Sequence, residues 1–475
     1  MNTFITRTGQ YFFAVYLLSV SSLPVIAGDL KNEGIPNANL ESLDKRLHQF
    51  SSRFYAKFVR SNNDSKADSI GTLVRTIDRY QEQNQRVSAT AAIVNNMALV
   101  EQNIDTTPII KICGVLFEAN EWNTASLLYK KVKKQGDKSL VSNVSLSLAK
   151  YYFSRNQWQE TIGIVDSISS DLPPEDYHNA LLMRGISLQR IQKHRTALEQ
   201  YTKIPPGSRY YAAARLNMAI ANIRQDWWTD AHTIINDLLN DKGVSSDNEL
   251  TDRLYIVLGY SLIQQQYYRN SRDAFRNVRL DGQYTNKALL GLALTAAYQE
   301  DYVGALNAIK VLKDSRTHDL PVDEANLLLP YFYERLRQIS TASAGYIEAI
   351  KHYEVRALDI KAAMSGDPDV LMKQVVSGNS TIVTINAEHL DLGEKLPRFI
   401  FDNIRILAQF QPHVARIGDA ALVREYEALN AAYRSTLQKT AQGLLDERSS
   451  HLSHYMNQSR YGLARMQDYE ATAPK

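Results

Sequence analysis

The chain has 475 residues, with 54 Lys and Arg set against 51 Asp and Glu, and one cysteine. That balance excludes the strong basic excess of a nucleic-acid-binding protein. A lone thiol excludes an intramolecular disulfide.

In chain order, Arg7 precedes an apolar run from Tyr11 to Ile26, broken by Pro24 and ending Val25-Ile26-Ala27. A charged start, a short apolar core and a small-residue exit describe a secretory signal peptide over residues 1–27, cut ahead of Gly28. The run is shorter than the about 20 residues that a span needs. Ser19, Ser21 and Ser22 interrupt it further. An uncleaved inner-membrane anchor is the alternative. No cysteine lies near the cut, so no lipid is expected there. Cys113 sits among Ile109, Ile110, Ile112, Val115 and Leu116 and reads as a buried core thiol. An exported chain with one cysteine fits the periplasm of a Gram-negative bacterium better than disulfide-rich secretion.

Residues 28–106 read as a helical capping region. A Gly-, Pro- and Asn-containing lead runs to Asn39. Leu40, Leu43, Leu47, Phe50, Phe54 and Phe58 then step by three and four, marking one helix face. A polar break over Ser61–Ser65 follows, and then helices over Ala67–Gln83 and Ser88–Asn103.

From about Thr107 to Tyr353 one pattern recurs: a bulky residue, a small one three later, and a large one four beyond that. It appears as Trp122/Ala125/Tyr129, Trp158/Thr161/Val165, His194/Ala197/Tyr201, Trp228/Ala231/Ile235, Tyr268/Ser271/Phe275, Tyr302/Ala305/Ile309 and Ile339/Ala342/Tyr346. The small residues are separated by 36, 36, 34, 40, 34 and 37 positions. A period near about 34 marks stacked helix–turn–helix units, each too small to bury its own face. The long step of 40 fits a loop insertion at Asp241–Asn248. Ala149, Ala219, Gly259 and Ala293 each precede the small residue of their own second helix by 12, so two helices can approach closely there. In the first unit Gly114 is displaced by one, and Pro330 takes that place in the seventh.

Segments such as Leu148-Ala149, Tyr152, Trp158, Thr161, Val165, Ile168, Pro173 and Leu258-Gly259, Leu262, Tyr268, Ser271, Phe275 resemble the tetratricopeptide repeat family. The resemblance implies an all-α superhelix of about seven repeats, with an inner wall built from the first helices. Carried over by register, that wall includes Lys150, Gln189, Arg190, Arg224, Arg253, Tyr260, Gln264, Lys287 and Tyr298, with Leu182, Leu216 and Ile256 interleaved and no Asp or Glu. Position 5 of the repeats is Leu or Ile, so the family's Lys/Asn clamp for a C-terminal carboxylate is not implied.

Residues 354–475 read as a separate helical, coiled-coil-like module. Thr381–Ile385 suits a short strand or a packed connector. Leu422, Tyr426, Leu429, Tyr433, Leu437, Thr440 and Leu444 then step by three and four, continuing to Leu452 and Tyr455 as one or two long helices.

No phosphate loop, HExxH, CxxC or GxSxG is present, so no catalytic residue and no cofactor is assigned. Glu447, His451 and His454 share a helix face at metal-ligand spacing. Two His three apart on a polar helix are more often solvated, and no metal is assigned. The expected function is a non-enzymatic periplasmic scaffold that binds an acidic protein or peptide segment in its groove, within a cell-envelope complex. Two rivals stand beside it: a structural subunit self-associating through its C-terminal helices, and a carbohydrate- or peptidoglycan-handling component suggested by 27 Tyr and 4 Trp.

The exported form is expected to begin at Gly28. Mass analysis of periplasmic extract checks this, and full-length chain in the membrane fraction would favour the anchor.

Overall fold

The computed structural model describes residues 37–472, apart from 63–65, 246, 316, 379 and 387. The signal segment 1–27 and most of the lead after it lie outside the described residues. Helix α1 spans Asn37–Asn62. Helices α2 (Ile70–Glu82), α3 (Arg86–Asn95) and the short α4 (Met97–Gln102) follow. Seven hairpins come next: α5 (Pro108–Glu118) with α6 (Trp122–Gln135), α7 (Lys138–Ser154) with α8 (Trp158–Val165), α9 (Pro174–Arg190) with α10 (His194–Tyr201), α11 (Tyr211–Ile223) with α12 (Trp228–Asn240), and, after the one-turn α13 (Lys242–Ser245), α14 (Asn248–Gln264) with α15 (Tyr268–Arg276). The last two pair α16 (Thr285–Tyr298) with α17 (Tyr302–Lys313), and α18 (Leu320–Arg335) with α19 (Ile339–Met364).

The recurring pattern is explained by where its residues go. Ala125, Thr161, Ala197, Ala231, Ser271, Ala305 and Ala342 have no exposed surface, and the large residue four later is buried in every unit. Ser271 Oγ donates to the Gly259 carbonyl at 2.8 Å, so the two helices of that hairpin nearly touch. In the first unit the place 12 before the small residue belongs to Cys113 rather than Gly114. The thiol is wholly buried there, and burial pushes its pKa up to about 12. The residue that opens each second helix is less deeply placed: Trp122, Trp158, His194, Trp228, Tyr268, Tyr302 and Ile339 are half-buried.

Each hairpin turns through one left-handed residue: Asn120, Asn156, Gln192, Asp226, Gln266, Glu300 or Arg337, with φ between 56° and 62°. The next amide donates back across the turn, as Glu121 to the Leu116 carbonyl at 2.9 Å and Tyr267 to Leu262 at 2.9 Å. This is a Schellman closure, which satisfies carbonyls that the helix end would leave open. None of the seven is glycine. The same turn occurs once more, at Asn84 between α2 and α3, where Ala89 is wholly buried and lies 36 before Ala125. A hairpin of the repeat build therefore stands within the region expected to cap the array.

Past α19 come α20 (Pro368–Ser377), strand β1 (Ile382–Ile385) paired antiparallel with β2 (Glu388–Asp391), α21 (Arg398–Ile417) and the 53-residue α22 (Ala420–Thr472). The strand expected near Thr381–Ile385 thus has a partner. These elements share one core with α1 and α19, through Phe50, Phe54, Phe58, Tyr346, Tyr353, Phe401, Phe410, Tyr433 and Leu452. Helix α22 runs antiparallel to α1, with Lys57 paired to Asp419 and Arg53 to Glu425. Its other half lies along α18 and α19, where Tyr455 donates to Glu324 at 2.9 Å and Arg465 to Glu334 at 2.7 Å. Among the described residues no helix is long and apolar enough to cross a membrane.

Phe275 lies between Gly259 of its own hairpin and Gly291 of the next. A Cβ added at Gly259 would sit 2.5 Å from the ring. Gly259→Ala should cost about 1–3 kcal/mol, as overpacked cores do. Adding Phe275→Leu should recover part of that loss, as read by urea denaturation followed by circular dichroism.

Candidate functional site

The concave wall does not run open from end to end. At the first hairpins it meets α1 and α21 through a buried polar network. Arg155, just past α7, donates to Asp44 at 3.1 Å and to Asn120 at 2.6 Å, and its guanidinium lies 3.5 Å over the Tyr151 ring. Asn403 donates to Asp44 at 2.7 Å and to the Tyr433 hydroxyl at 3.0 Å. His48 Nε2 is 2.8 Å from both Asn120 Oδ1 and the Tyr151 hydroxyl. Burial alone would raise the Asp44 carboxyl, but Arg155 and the donated hydrogen bonds hold it below its ordinary value. Burial carries the His48 imidazole below its own, despite Asp44.

The far end is filled as well. Asp323 of α18 and Glu388 of β2 are buried against Arg356 of α19 and Arg448 of α22. Arg356 donates to Glu388 at 3.2 Å, and Arg448 lies 3.3 Å from Glu388 and 3.4 Å from Asp323. A cavity of about 270 Å³ adjoins this cluster, lined by Lys313, His318, Asn326 and His352 among others. Lys287 falls within the reach of the C-terminal segment. Burial lowers its pKa, while Glu394, in the turn after β2, and Asp319 oppose that change.

Against this frame the nine wall residues divide. Gln189 and Tyr260 are buried and tie the structure together. Gln189 accepts the Tyr201 hydroxyl and donates to the Asn217 carbonyl at 3.2 Å, and Tyr260 donates to the Lys287 carbonyl at 2.9 Å. Lys150 and Arg190 are exposed, while Arg224, Arg253, Gln264, Lys287 and Tyr298 are half-buried. Among the described residues neither the Arg224 nor the Arg253 guanidinium makes an ion pair or a hydrogen bond. The interleaved Leu182, Leu216 and Ile256 are buried, because the inner sides of neighbouring first helices pack on one another, and they offer a partner no open surface.

A ladder that the sequence did not reveal runs along the turn edge. The residue ending a first helix lies over the residue opening the second helix of the preceding hairpin. Arg190 lies 5.9 Å over Trp158, Tyr298 stacks on Tyr268 at 5.1 Å and 8°, and Arg335 lies 5.2 Å over Tyr302. The half-buried opening residues thus link one hairpin to the next from outside the core. The spacing from opener to the next first-helix end varies, 32 from Trp158 to Arg190, 30 from Tyr268 to Tyr298 and 33 from Tyr302 to Arg335, so no fixed period announced it.

The three polar side chains raised as metal ligands are not gathered. Glu447 pairs with Lys395 at 3.0 Å, and His451 and His454 are exposed. Among the described residues no His, Cys, Asp and Glu group could hold a metal ion.

No protein-family model and no curated protein matches the chain. Solved structures with some likeness include a tetratricopeptide repeat protein from Parabacteroides merdae, 14% identical over 55% of this chain and 98% of that one, with a TM-score of 0.36. The apo form of RapI is 13% identical over 78% of this chain and 98% of that one, at 0.43. A Rap protein complexed with competence and sporulation factor is 11% identical over 76% and 99%, at 0.30. The class is carried by the chain's own hairpins: an all-α, tetratricopeptide-like solenoid closed by a long-helix module.

The polar network at the first hairpins should dominate the stability of that end. Arg155→Met leaves the Asp44 carboxylate buried beside no cation and should cost about 3–5 kcal/mol. Asp44→Asn added to it should recover most of the loss, measured by thermal and urea denaturation.

Proposed function

We propose that the protein is a non-enzymatic, exported scaffold that captures an acidic segment of a protein partner on the central part of its concave wall. One contrast carries this reading. Where the first hairpins meet the chain's own closing segments, Arg155 receives the Asp44 carboxylate, and farther along Glu394 and Asp319 favour the charged form of Lys287 against its burial. Between those ends, among the described residues, Arg224 and Arg253 have no acid paired with them, and Arg190 and Lys150 are placed on the same wall by register. Half-buried guanidinium groups favour a carboxylate that can accept two donors at once. The wall is too polar and too tightly packed to supply an apolar floor, so such a partner binds with moderate affinity and with clear salt dependence.

The periplasmic setting and a role in a cell-envelope complex belong to this proposal, on the strength of the segment 1–27. Self-association through the C-terminal helices is less favoured, because the apolar side of α22 is spent on α1, α19 and α21 within the chain. The carbohydrate reading loses weight because Tyr201, Tyr260, Tyr346, Tyr353 and Tyr433 are buried.

Crosslinking in intact cells tests it. Changing Arg190, Arg224 and Arg253 together to Glu should abolish partner capture while leaving helicity and melting temperature near wild type. Each exposed pair contributes only about 0.2–1 kcal/mol, so wild-type capture should weaken with salt without vanishing. Retention of every crosslinked partner by the triple variant would remove the central wall as the binding face.

A further inference from the structure

The outward face of α19 breaks a rule that the second helices before it keep. Those of the central hairpins turn polar side chains to solvent, among them Glu199 of α10, Asp237 of α12, and Asp273 and Arg276 of α15. Helix α19 instead presents Ala344, Ile347, Lys351, Val355, Leu358 and Ala362, all exposed and stepping by three and four along one face. Ile347, Val355 and Leu358 keep 42%, 58% and 67% of their surface open. The opposite face is apolar too and already spent, with Tyr346, Tyr353 and Ile360 sealed in the core shared with α22. A helix apolar on both faces has the pattern of one covered on both. The other second helices run for 8 to 14 residues and α19 for 26, and the added turns carry Val355, Leu358 and Ala362.

The order of residues along the stripe says what covers it. Turned end for end, the stripe falls on itself to within one residue: Ala344 exchanges with Ala362, Ile347 with Leu358 and Lys351 with Val355. Self-complementarity of that kind is what a two-fold axis between identical chains requires. The small residues at both ends let two backbones approach, and the branched ones fill the contact between them. The charges agree with the same operation. Among the described residues Lys351 makes no ion pair, and Glu354, on the flank of the stripe, reaches Arg460 at 3.7 Å. The exchange brings Lys351 beside Glu354 of the second copy, and flanking pairs of this kind set the orientation of paired helices. Glu348, Glu354 and Asp359 border the stripe against Lys351 and Lys361, which leaves no basic excess to hold it on an anionic membrane surface. We propose that the protein pairs with a second copy of itself through the outward face of α19, the two helices antiparallel. The pairing uses neither α22 nor the concave wall, so it stands apart from the capture proposed above.

Sedimentation velocity of the full-length chain, as recovered from cells, tests this over about 1–200 µM. One helix pair is at the small end of specific interfaces, so a reversible dimer is expected within that range. Leu358→Glu and Ile347→Glu should each raise the dimer dissociation constant about tenfold or more, since each sets an unpaired charge in an apolar contact. Leu280→Glu, at a side chain 76% exposed ahead of α16, should leave it unchanged. Lys351→Glu and Glu354→Lys should each weaken the dimer, and the two together should restore it. Circular dichroism of every variant should match wild type, because all the altered side chains are exposed. A chain that stays monomeric throughout the range overturns the proposal. So does a dimer that Leu358→Glu and Ile347→Glu leave intact. A monomer that instead binds vesicles of phosphatidylglycerol and phosphatidylethanolamine, and loses them with Leu358→Glu, overturns it as well and gives the stripe to a lipid surface.

Discussion

The size of two facing side chains governs the whole array. Ala149 and Thr161, Gly185 and Ala197, Ala219 and Ala231, Gly259 and Ser271, and Ala293 and Ala305 each lie 12 apart, and all are buried. With nothing larger between them the two backbones approach, and the ring or branched side chain four residues on fills the space beside the contact. At Gly185 and Gly259 the approach is so close that even a methyl group would meet the ring of Tyr201 or Phe275. The left-handed residue five positions before each small one sets how the chain enters that contact. Its polar side chain stays outside in six of the seven, so Asn, Gln, Asp, Glu and Arg all serve there, while Asn120 is buried in the network around Asp44. An L-residue there costs about 1–2 kcal/mol of local strain relative to the right-handed form. The closure of the helix end and the burial that follows offset it. Period, stacking and the aim of every wall residue follow from this one constraint.

Solenoids gain their stability from nearest neighbours, so their ends are ordinarily independent. Here they are not. Helix α22, about 80 Å long at about 1.5 Å per residue, lies on α1 at one end and on α18 and α19 at the other. Helix α1 in turn touches the turn at Asn120 and the end of α7 through Asp44 and His48. The first and last hairpins are thereby joined through a second path. Two buried polar clusters, one around Asp44 and one around Asp323 and Glu388, fix its register. Such clusters contribute orientation more surely than net stability, because the desolvation of each ion opposes its pairing.

The array was legible because packing writes itself into spacing. Small residues at one period, and their partners 12 earlier, can be read without coordinates, as can the apolar faces of α1 and α22. Cys113 was read as core, but not as the small residue of its hairpin, because the neighbouring Gly114 matched the family pattern better. The hairpin at Asn84 escaped because Arg86 stands where the other units carry a bulky opener. What could not be read was pairing between distant segments. Nothing in the spacing of Asp44, Asn403 and Tyr433 says that they meet, since α1 and α21 lie at opposite ends of the sequence. For the same reason the wall appeared open along its length, and Leu182, Leu216 and Ile256 appeared available, although packing between neighbouring first helices had already enclosed them.

The filled ends of the wall indicate what its centre accepts. Segments from outside the repeats close on both ends of the array, α1 and α21 at the first hairpins and β2 and α22 at the last. Helix α1 brings the Asp44 carboxylate to Arg155, and α21 brings an amide, Asn403, to the same network. At the far end α22 brings Arg448 to Asp323 and Arg465 to Glu334, so there the closing segment supplies cations to acids of α18. At both ends a charge of the array is thus met by its opposite from a closing segment. Over the central hairpins, among the described residues, Arg224 and Arg253 stand without acids. An unneutralised, half-buried guanidinium is costly where no ligand is used and useful where one is. The segment that completes the centre of the wall should therefore resemble the segments that complete its ends: a stretch of chain that presents acid groups to consecutive repeats and leaves the interior packing untouched.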